Sequence, residues 1–326
     1  MAKVGKVVYG LVVLVVVGLA VTFSVRSAGA GTDVRANLTL IAPAGAGGGW
    51  DSFTREAQQA MRTGGMVNNA QVVNIPGAGG TIGLGRVSTM DGDATTLLAT
   101  GSAMTGGIEL NRSPVGYDDV VPIAAMAEDF DVVTVPADSP YETIDDLVEA
   151  WAEDPAGFPL TGGSAGSIDH LVLADLALEA GIDPAEISFI PAAGGGEAVQ
   201  TMLSGAAEAA ATGYNEISDQ VEAGRVRALG ISAPEPVEGV DVPTLVEQGY
   251  DTDLTNWRGF LAPPGISAEE EEAILRLVRE LVRSPEWEDA MARNRWEPAY
   301  LEGAELDAFL AEDLEQTRRL LEELGL

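Results

Sequence analysis

The chain has 326 residues, a hydrophobic fraction of 46% and a formal net charge of −33 at pH 7. That length is enough for two globular domains with separate cores. The charge excludes nucleic acid as a partner because phosphates would be repelled, and the absence of cysteine excludes disulfides and thiol catalysis. The single histidine, His170, is too few for a histidine-based zinc site, so neither a metal nor a cofactor is predicted.

Residues 1–30 have the pattern of an export segment. Two lysines precede an apolar run at residues 7–25, and Ala28 and Ala30 fit a signal-peptidase site. The segment is predicted to be a signal peptide or, since the run is long enough to span a bilayer, an N-terminal anchor. The protein is therefore expected to be exported, either periplasmic or at the cell surface. Beyond this segment the chain has no lysine, which excludes lysine nucleophiles and Schiff-base chemistry.

Short apolar segments alternate with helix-period segments in two successive parts of the chain. This rhythm predicts an α/β fold with two lobes, each a mixed sheet flanked by helices. A β-branched run at residues 132–135 suits a strand that passes between the lobes. The amphipathic tail needs an apolar surface to cover, so it is expected to return to the first lobe. The predicted limits are residues 36–134 with 250–326 for lobe 1, and 135–249 for lobe 2.

Two glycine-rich loops each follow a strand and open a helix. Free amides and the positive end of a helix dipole at such turns can hold an anion without a charged side chain. Neither loop carries the dinucleotide pattern G-x-G-x-x-G, and Asp51 is expected to cap its helix. A bulky side chain at Gly79 is expected to obstruct the anion. The two loops, at residues 42–51 and 74–83, are therefore predicted to hold an anion through their backbone amides.

A third loop matches the hydrolase pattern G-x-S-x-G around Ser164. The only histidine lies six residues beyond that serine, whereas the base of such hydrolases follows much later in the chain. A serine acyl hydrolase is therefore a minor alternative, and the protein is predicted not to be an enzyme. For His170, hydrogen bonding in a cleft and plain helix packing both remain open.

A fourth glycine loop, at residues 191–197, again opens a helix, so both lobes are predicted to present amides to one cleft. Trp257 is assigned to the core, and Arg258 is assigned to a pair with the acidic surface. Recognition of the ligand is then expected to need no buried arginine.

Seven segments in order resemble the Bug/TctC family, the extracytoplasmic binding components of tripartite tricarboxylate transporters. The resemblance implies a two-lobed, type II-like periplasmic-binding fold that closes on a carboxylate, with contacts from both lobes. It implies ligand contacts from the first two loops at Ala46, Gly47, Gly48, Gly49, Trp50, Ala78, Gly79, Gly80 and Thr81, and from the second lobe at Ser164 and Ser167. Ser102, His170 and Gly195 complete the predicted ligand-binding set. The segments are residues 43–55, 76–83, 91–98, 162–170, 224–230, 243–250 and 257–265.

The form Gly-Gly-Gly-Trp-Asp at residues 47–51 looks more like the tricarboxylate branch of that family than like its amino-acid binders. A citrate-like ligand is therefore predicted. The resemblance also implies a large and a small membrane subunit as partners, and a monomer is expected. A sensor subunit that presents its ligand to a membrane kinase would share every one of these features, so that alternative remains open.

Overall fold

The computed structural model describes residues 33–192 and 194–326, so the export segment predicted at residues 1–30 lies outside it. No helix in the described part is long and apolar enough to cross a membrane. The strands described are β1 (Leu38–Ala42), β2 (Ala70–Asn74), β3 (Thr96–Gly101), β4 (Val121–Pro136), β5 (Leu160–Gly162), β6 (Phe189–Pro191), β7 (Ala209–Gly213), β8 (Val226–Ile231), β9 (Thr255–Ala262) and β10 (Glu297–Leu301).

The helices lie between these strands and at the end of the chain. They are α1 (Gly49–Thr63), α2 (Thr81–Val87), α3 (Ser102–Leu110), α4 (Ile144–Glu153), α5 (Ile168–Glu179), α6 (Gly195–Leu203), α7 (Tyr214–Glu222), α8 (Ala268–Val282), α9 (Pro285–Asn294) and α10 (Ala304–Glu323).

The strands form a mixed sheet in the order β2-β1-β3-β9-β4-β7-β5-β6, and β8 and β10 also pair with β4. Parallel pairs join β1 to β2 and β3, and β5 to β6 and β7. The partners of β4 are all antiparallel. The mixed α/β architecture predicted from the sequence is confirmed.

Strand β4 belongs to both halves of this sheet. Residues 121–130 pair with β9, whereas residues 131–136 pair with β7 and β8. We call the strands on the β9 side the first half and those on the β7 side the second half. The β-branched run Val132 to Val135 favours the extended backbone that this passage requires. The side chains of Asp129 and Asp131 share one face of β4 because side chains alternate along a strand.

Each half has apolar cores of its own. Phe53 of α1 packs with Phe260, Trp287 and Trp296 in the first half, with ring centroids 5.2 to 5.8 Å apart. Val133 and Val135 pack with α4 and α5 in the second half. These separate cores let loops from both halves meet at the crossing strand.

The C-terminal helices divide their contacts between the two halves. Helices α8 and α9 cover the first half, as expected of the tail. In α10, Leu306 and Leu310 pack on the first half, whereas Leu320 and Leu321 pack on the core of the second half. The last helix therefore spans both halves, and the residue limits given for the two lobes stay a prediction.

Candidate functional site

Asp51 holds the first glycine loop in place. Its carboxylate is 3% exposed and accepts hydrogen bonds from the amide of Gly47 (2.8 Å), from Asn74 Nδ2 (2.8 Å) and from Arg55 Nε (2.9 and 3.0 Å). Burial raises the pKa of Asp51, but these donors outweigh it and lower the pKa to about 2. The carboxylate therefore stays ionised and fixes the loop. The expected capping role is wrong, since the cap of α1 is Gly48.

The start of α1 leaves backbone donors free. Gly48 supplies no side-chain cap, and within the described residues the amides of Gly49 and Trp50 meet no acceptor. Gly49 is exposed. The amide of Gly47, which was predicted to bind the ligand, already donates to Asp51. The free donors of this loop are therefore the amides at the start of α1, where the helix dipole favours an anion.

The second glycine loop folds against the first. Gly77, Gly79 and Gly80 have φ values of 131°, 59° and 90°, which side chains rarely adopt. A Cβ added to Gly80 would lie 3.0 Å from the ring of Trp50, so this indole covers the loop. Ala78 and Gly79 are exposed, and in the described part of the chain their amides meet no acceptor. Trp50 thus brings the two sets of donors together.

Gly79 faces helix α3 and not the open side of the loop. A Cβ there would lie 2.7 Å from Cα of Gly107 and 3.3 Å from the carbonyl oxygen of Ala103. A side chain at Gly79 would therefore displace the loop from α3, which is a different effect from the direct obstruction expected from the sequence.

Gly79→Ala is expected to lower the free energy of unfolding by about 1–3 kcal/mol, because a positive φ and a backbone clash are both imposed on a side chain. Gly85→Ala is the matched control, since a Cβ at Gly85 meets nothing within 4 Å and alanine favours a helix. Urea denaturation of both variants measures the difference. Equal stability of the two proteins would contradict the packing described for Gly79.

In the second half, the protein's own carboxylates occupy Ser167 and the amide of Gly195, both predicted to contact the ligand, and also the amide of Gly163. Asp169 Oδ2 accepts from the amide of Gly163 (2.7 Å) and from Ser167 Oγ (2.9 Å). Glu216 Oε2 accepts from the amide of Gly195 (2.8 Å). Carboxylates therefore fit these loops, but a ligand would have to displace them or bind beside them.

Ser102, Ser164 and His170 do not converge on those amides. Ser102 Oγ is buried between the carbonyl oxygen of Thr255 (2.8 Å) and the amide of Trp257 (3.1 Å), so it ties α3 to β9. Ser164 is exposed. In the described part of the chain no hydrogen bond joins it to His170.

His170 is a buried packing residue. Its ring stacks on Phe189 with centroids 3.9 Å apart, and its Nδ1 accepts a hydrogen bond from the amide of Gly166 (3.1 Å). Burial lowers the pKa of His170 to about 4, so the ring is neutral at pH 7. Because Nδ1 of His170 accepts from a backbone amide and the ring has no hydrogen bond to Ser164 in the described structure, His170 is not placed to activate that serine.

Arg258 is buried, which differs from the surface pair expected from the sequence. It is 6% exposed, and its Nη1 lies 2.7 Å from Oδ2 of Asp129, which is 2% exposed. Its guanidinium lies over the ring of Trp296, 5.4 Å from the centroid. A Cβ added to Gly49 would lie 3.4 Å from Nη2. The guanidinium therefore stands beside the free amides of α1.

Four carboxylates, those of Asp129, Asp131, Asp169 and Glu216, form what we call the central acid cluster. Asp131 is 1% exposed, and neither of its carboxylate oxygens has a donor in the described structure. Burial raises the pKa of Asp131 well above its usual range, and the negative charge of Asp169, a hydrogen bond that the protonated carboxyl shares with Asp169, and the charges of Asp129 and Glu216 add to the rise. No group of three or more acidic, His or Cys residues in the described ranges is arranged to hold a metal ion.

The sequence interpretation missed this cluster. Asp129 and Asp131 stand at alternate positions in a strand that is mostly buried and apolar, and two buried acids there are unusual enough to have been noticed. The other two acids come from the starts of α5 and α7, and no sequence pattern links them to β4.

The fold and its converging glycine loops define a solute-binding protein with the periplasmic-binding architecture. The sequence model of the family described as "Tripartite tricarboxylate transporter family receptor", TctC, matches residues 53–326. The chain belongs to this family. The resemblance noted in the sequence is thereby confirmed.

Individual proteins agree with this assignment. A UPF0065 protein of Cupriavidus necator is 28% identical over 261 residues, which cover 78% of this chain and 77% of that protein. A TctC solute-binding protein from Polaromonas, solved without ligand, has a TM-score of 0.74 at 26% identity, covering 88% of this chain and 98% of the other. An R. palustris protein solved with adipate has a TM-score of 0.75 at 18% identity, covering 89% and 97%, and it shows the fold alone.

Proposed function

We propose that this protein is an exported receptor that captures a small carboxylate and delivers it to the two membrane subunits of a tripartite transporter. The observation that carries the proposal is the convergence of unused amides from the first two glycine loops, with Arg258 beside them. The membership in a receptor family favours delivery to a transporter over presentation to a kinase. The adipate in one structural neighbour is in keeping with a carboxylate ligand.

An acidic protein can bind an anion in this way because the local donors outweigh the distant charges. Exposed charges more than about 8 Å away are largely screened at physiological salt. Each hydrogen bond to a charged group contributes about 1.5–3 kcal/mol. The four free amides of Gly49, Trp50, Ala78 and Gly79 then supply about 6–12 kcal/mol, a range that includes the roughly 8 kcal/mol of micromolar affinity. Arg258 adds a positive charge at the same place.

The number of negative charges on the ligand is limited by the central acid cluster. If one carboxylate of citrate, the ligand predicted from the sequence, binds the amides of Gly49 and Trp50, the other carboxylates point toward Arg258 and, beyond it, Asp129. The negative charge of Asp129 would repel them. We therefore propose a ligand with one carboxylate on the amide loops, and we expect citrate to bind more weakly than smaller carboxylates.

A thermal-shift screen tests the proposal. We expect at least one small carboxylate at about 100 times its Kd to stabilise the protein by about 2.7 kcal/mol, because it binds only the folded state. For a chain of this size that corresponds to a rise in Tm of about 4 °C. Mono-, di-, tri- and aminocarboxylates form the panel, and neutral sugars are the matched controls. A shift with sugars alone would contradict carboxylate binding.

A further inference from the structure

The chain contains two short sequences of the form Asn-X-Ser/Thr in which X is not proline. One is Asn-Leu-Thr, beginning at Asn37, and the other is Asn-Arg-Ser, beginning at Asn111. In an exported protein such a sequence is the acceptor for an N-linked oligosaccharide. The sugar is attached to the side-chain nitrogen Nδ2 and has to project into solvent, so the surroundings of each asparagine decide which of them can carry it.

Asn37 lies on the surface between a turn and the start of β1. The turn is closed by the amide of Ala36, which donates to the carbonyl oxygen of Asp33 (2.9 Å). The side chain of Asn37 is exposed, and its Oδ1 accepts from Asn69 Nδ2 at 3.4 Å. Its own Nδ2 donates to no acceptor within residues 33–192 and 194–326. The fold as described therefore uses neither proton of this nitrogen.

Asn111 is also exposed, but its Nδ2 is in use. It donates to the carbonyl oxygens of Gly107 (2.8 Å) and Ala78 (3.2 Å), and so ties the end of α3 to the second glycine loop. An oligosaccharide on Nδ2 replaces one of its two protons, so one of these hydrogen bonds would be lost. The sugar would also stand beside the free amide of Ala78, at the place proposed for the ligand.

Asn37 is at the end of β1 that lies away from the ligand loops. Strand β1 runs from Leu38 to Ala42, and the first glycine loop follows Ala42. The strand separates Asn37 from that loop by about 17 Å at the usual rise per residue. An oligosaccharide at Asn37 therefore leaves the place proposed for the ligand open.

We propose that Asn37 carries an N-linked oligosaccharide and that Asn111 does not. This inference rests on the export that is part of the proposed function, because this modification belongs to exported proteins. The co-reactant is an oligosaccharide joined to a polyprenyl lipid through a phosphate or diphosphate. Nδ2 of Asn37 forms a bond to C1 of the first sugar, and the bond from C1 to the phosphate oxygen breaks. The lipid phosphate leaves with the electron pair, and Nδ2 loses one proton.

Mass spectrometry of tryptic peptides tests this inference on protein purified from the cells that make it. Beyond residue 6 the chain has no lysine, so trypsin cuts it at arginine and places the two asparagines in separate peptides, residues 36–55 and 87–112. Each peptide contains a single asparagine, which makes the attachment point unambiguous. We expect the peptide of residues 36–55 to carry an oligosaccharide and the peptide of residues 87–112 to have the mass of its sequence.

Three variants made in the same cells identify the attachment. Asn37→Gln and Thr39→Val should each abolish the oligosaccharide, because the first removes the acceptor asparagine and the second removes the hydroxyl that the acceptor sequence requires. Thr39→Ser is the matched control and should keep the oligosaccharide, since the hydroxyl remains. Serine can also keep the contact of this residue in the sheet, where Oγ1 of Thr39 accepts from Gln71 Nε2 (3.0 Å).

The outcomes separate this inference from the proposed function. If the exported protein yields the peptide of residues 36–55 only at the mass of its sequence, the inference is wrong and carboxylate capture stands. An oligosaccharide on residues 87–112 would contradict the choice between the two asparagines, and one that persists in Thr39→Val would contradict attachment through this sequence. If cell fractionation finds the protein only in the cytoplasm, the proposed export fails and this inference fails with it.

Discussion

Arg258→Gln is expected to lower the free energy of unfolding by about 3–5 kcal/mol, because it leaves the carboxylate of Asp129 buried without its charged partner. Both side chains are almost fully buried and lie 2.7 Å apart. Burial already raises the pKa of Asp129 and the arginine opposes that rise, so removal of the arginine removes the interaction that keeps the carboxylate ionised. The guanidinium also packs on Trp296. Urea denaturation at pH 7.5 measures the loss.

The double variant Arg258→Gln with Asp129→Asn is the control. It removes both charges together, so most of the stability should return. The expected order of stability is wild type, then the double variant, then Arg258→Gln. If Arg258→Gln is as stable as the wild type, the two groups do not form a buried ion pair.

Asp131→Asn is expected to raise the free energy of unfolding at pH 7.5 by about 1–3 kcal/mol, the usual size of the penalty on an uncompensated buried group, because the amide carries no charge among the neighbouring carboxylates and can donate a hydrogen bond to Asp169. The native state disfavours the charged form of Asp131 because the side chain is buried and faces Asp169, Asp129 and Glu216, with Arg258 on the far side of Asp129. Asparagine has the same shape and no charge.

The gain in stability from Asp131→Asn should increase as the pH rises. The pKa of Asp131 is raised in the folded state, so the folded protein binds the proton more tightly than the unfolded chain does. Asp131 therefore lowers stability as the pH rises above about 4, the ordinary pKa of aspartate. The advantage of Asp131→Asn should be largest near neutrality and should vanish as the pH falls toward 4. Urea denaturation across that range measures the difference between variant and wild type.

Asp51→Asn is the control in the same pH series, because its effect on stability is expected to be opposite to that of Asp131→Asn. The pKa of Asp51 is lowered to about 2, so its carboxylate stabilises the folded state above pH 4 and this contribution is lost as the pH falls toward 2. The variant should be less stable than the wild type at neutrality. A gain for Asp131→Asn that does not change between pH 4 and pH 7.5 would contradict the assignment of unpaired charge to Asp131.

The α/β alternation and the glycine loops were predictable because they depend on local physics. Helix starts after strands need bare backbone, and the positive φ values at Gly77, Gly79 and Gly80 require glycine whatever the tertiary context. The crossing strand was predictable from its β-branched run. The prediction that Trp257 belongs to the core is also confirmed, because its side chain is 1% exposed.

The roles of charged residues were harder to predict. Asp51 looked like a helix cap, but Asn74 at the end of β2 and the amide of Gly47 both donate to its carboxylate and draw it into the turn. Arg258 looked like a surface residue because the chain is so acidic. Its position on β9, opposite Ala127 of β4, instead places it beside Asp129 in the interior.

By itself the sequence determined the fold class, the glycine loops at the helix starts and the family to which the chain belongs, because each depends on residues that are close along the chain. Only the tertiary structure decided which amides remain available and where unpaired charge collects. Gly195 lost its amide to Glu216, 21 positions away, and Asp131 gained its acidic neighbours from α5 and α7. Burial and pairing are set by the packing of distant elements, and no local pattern encodes them.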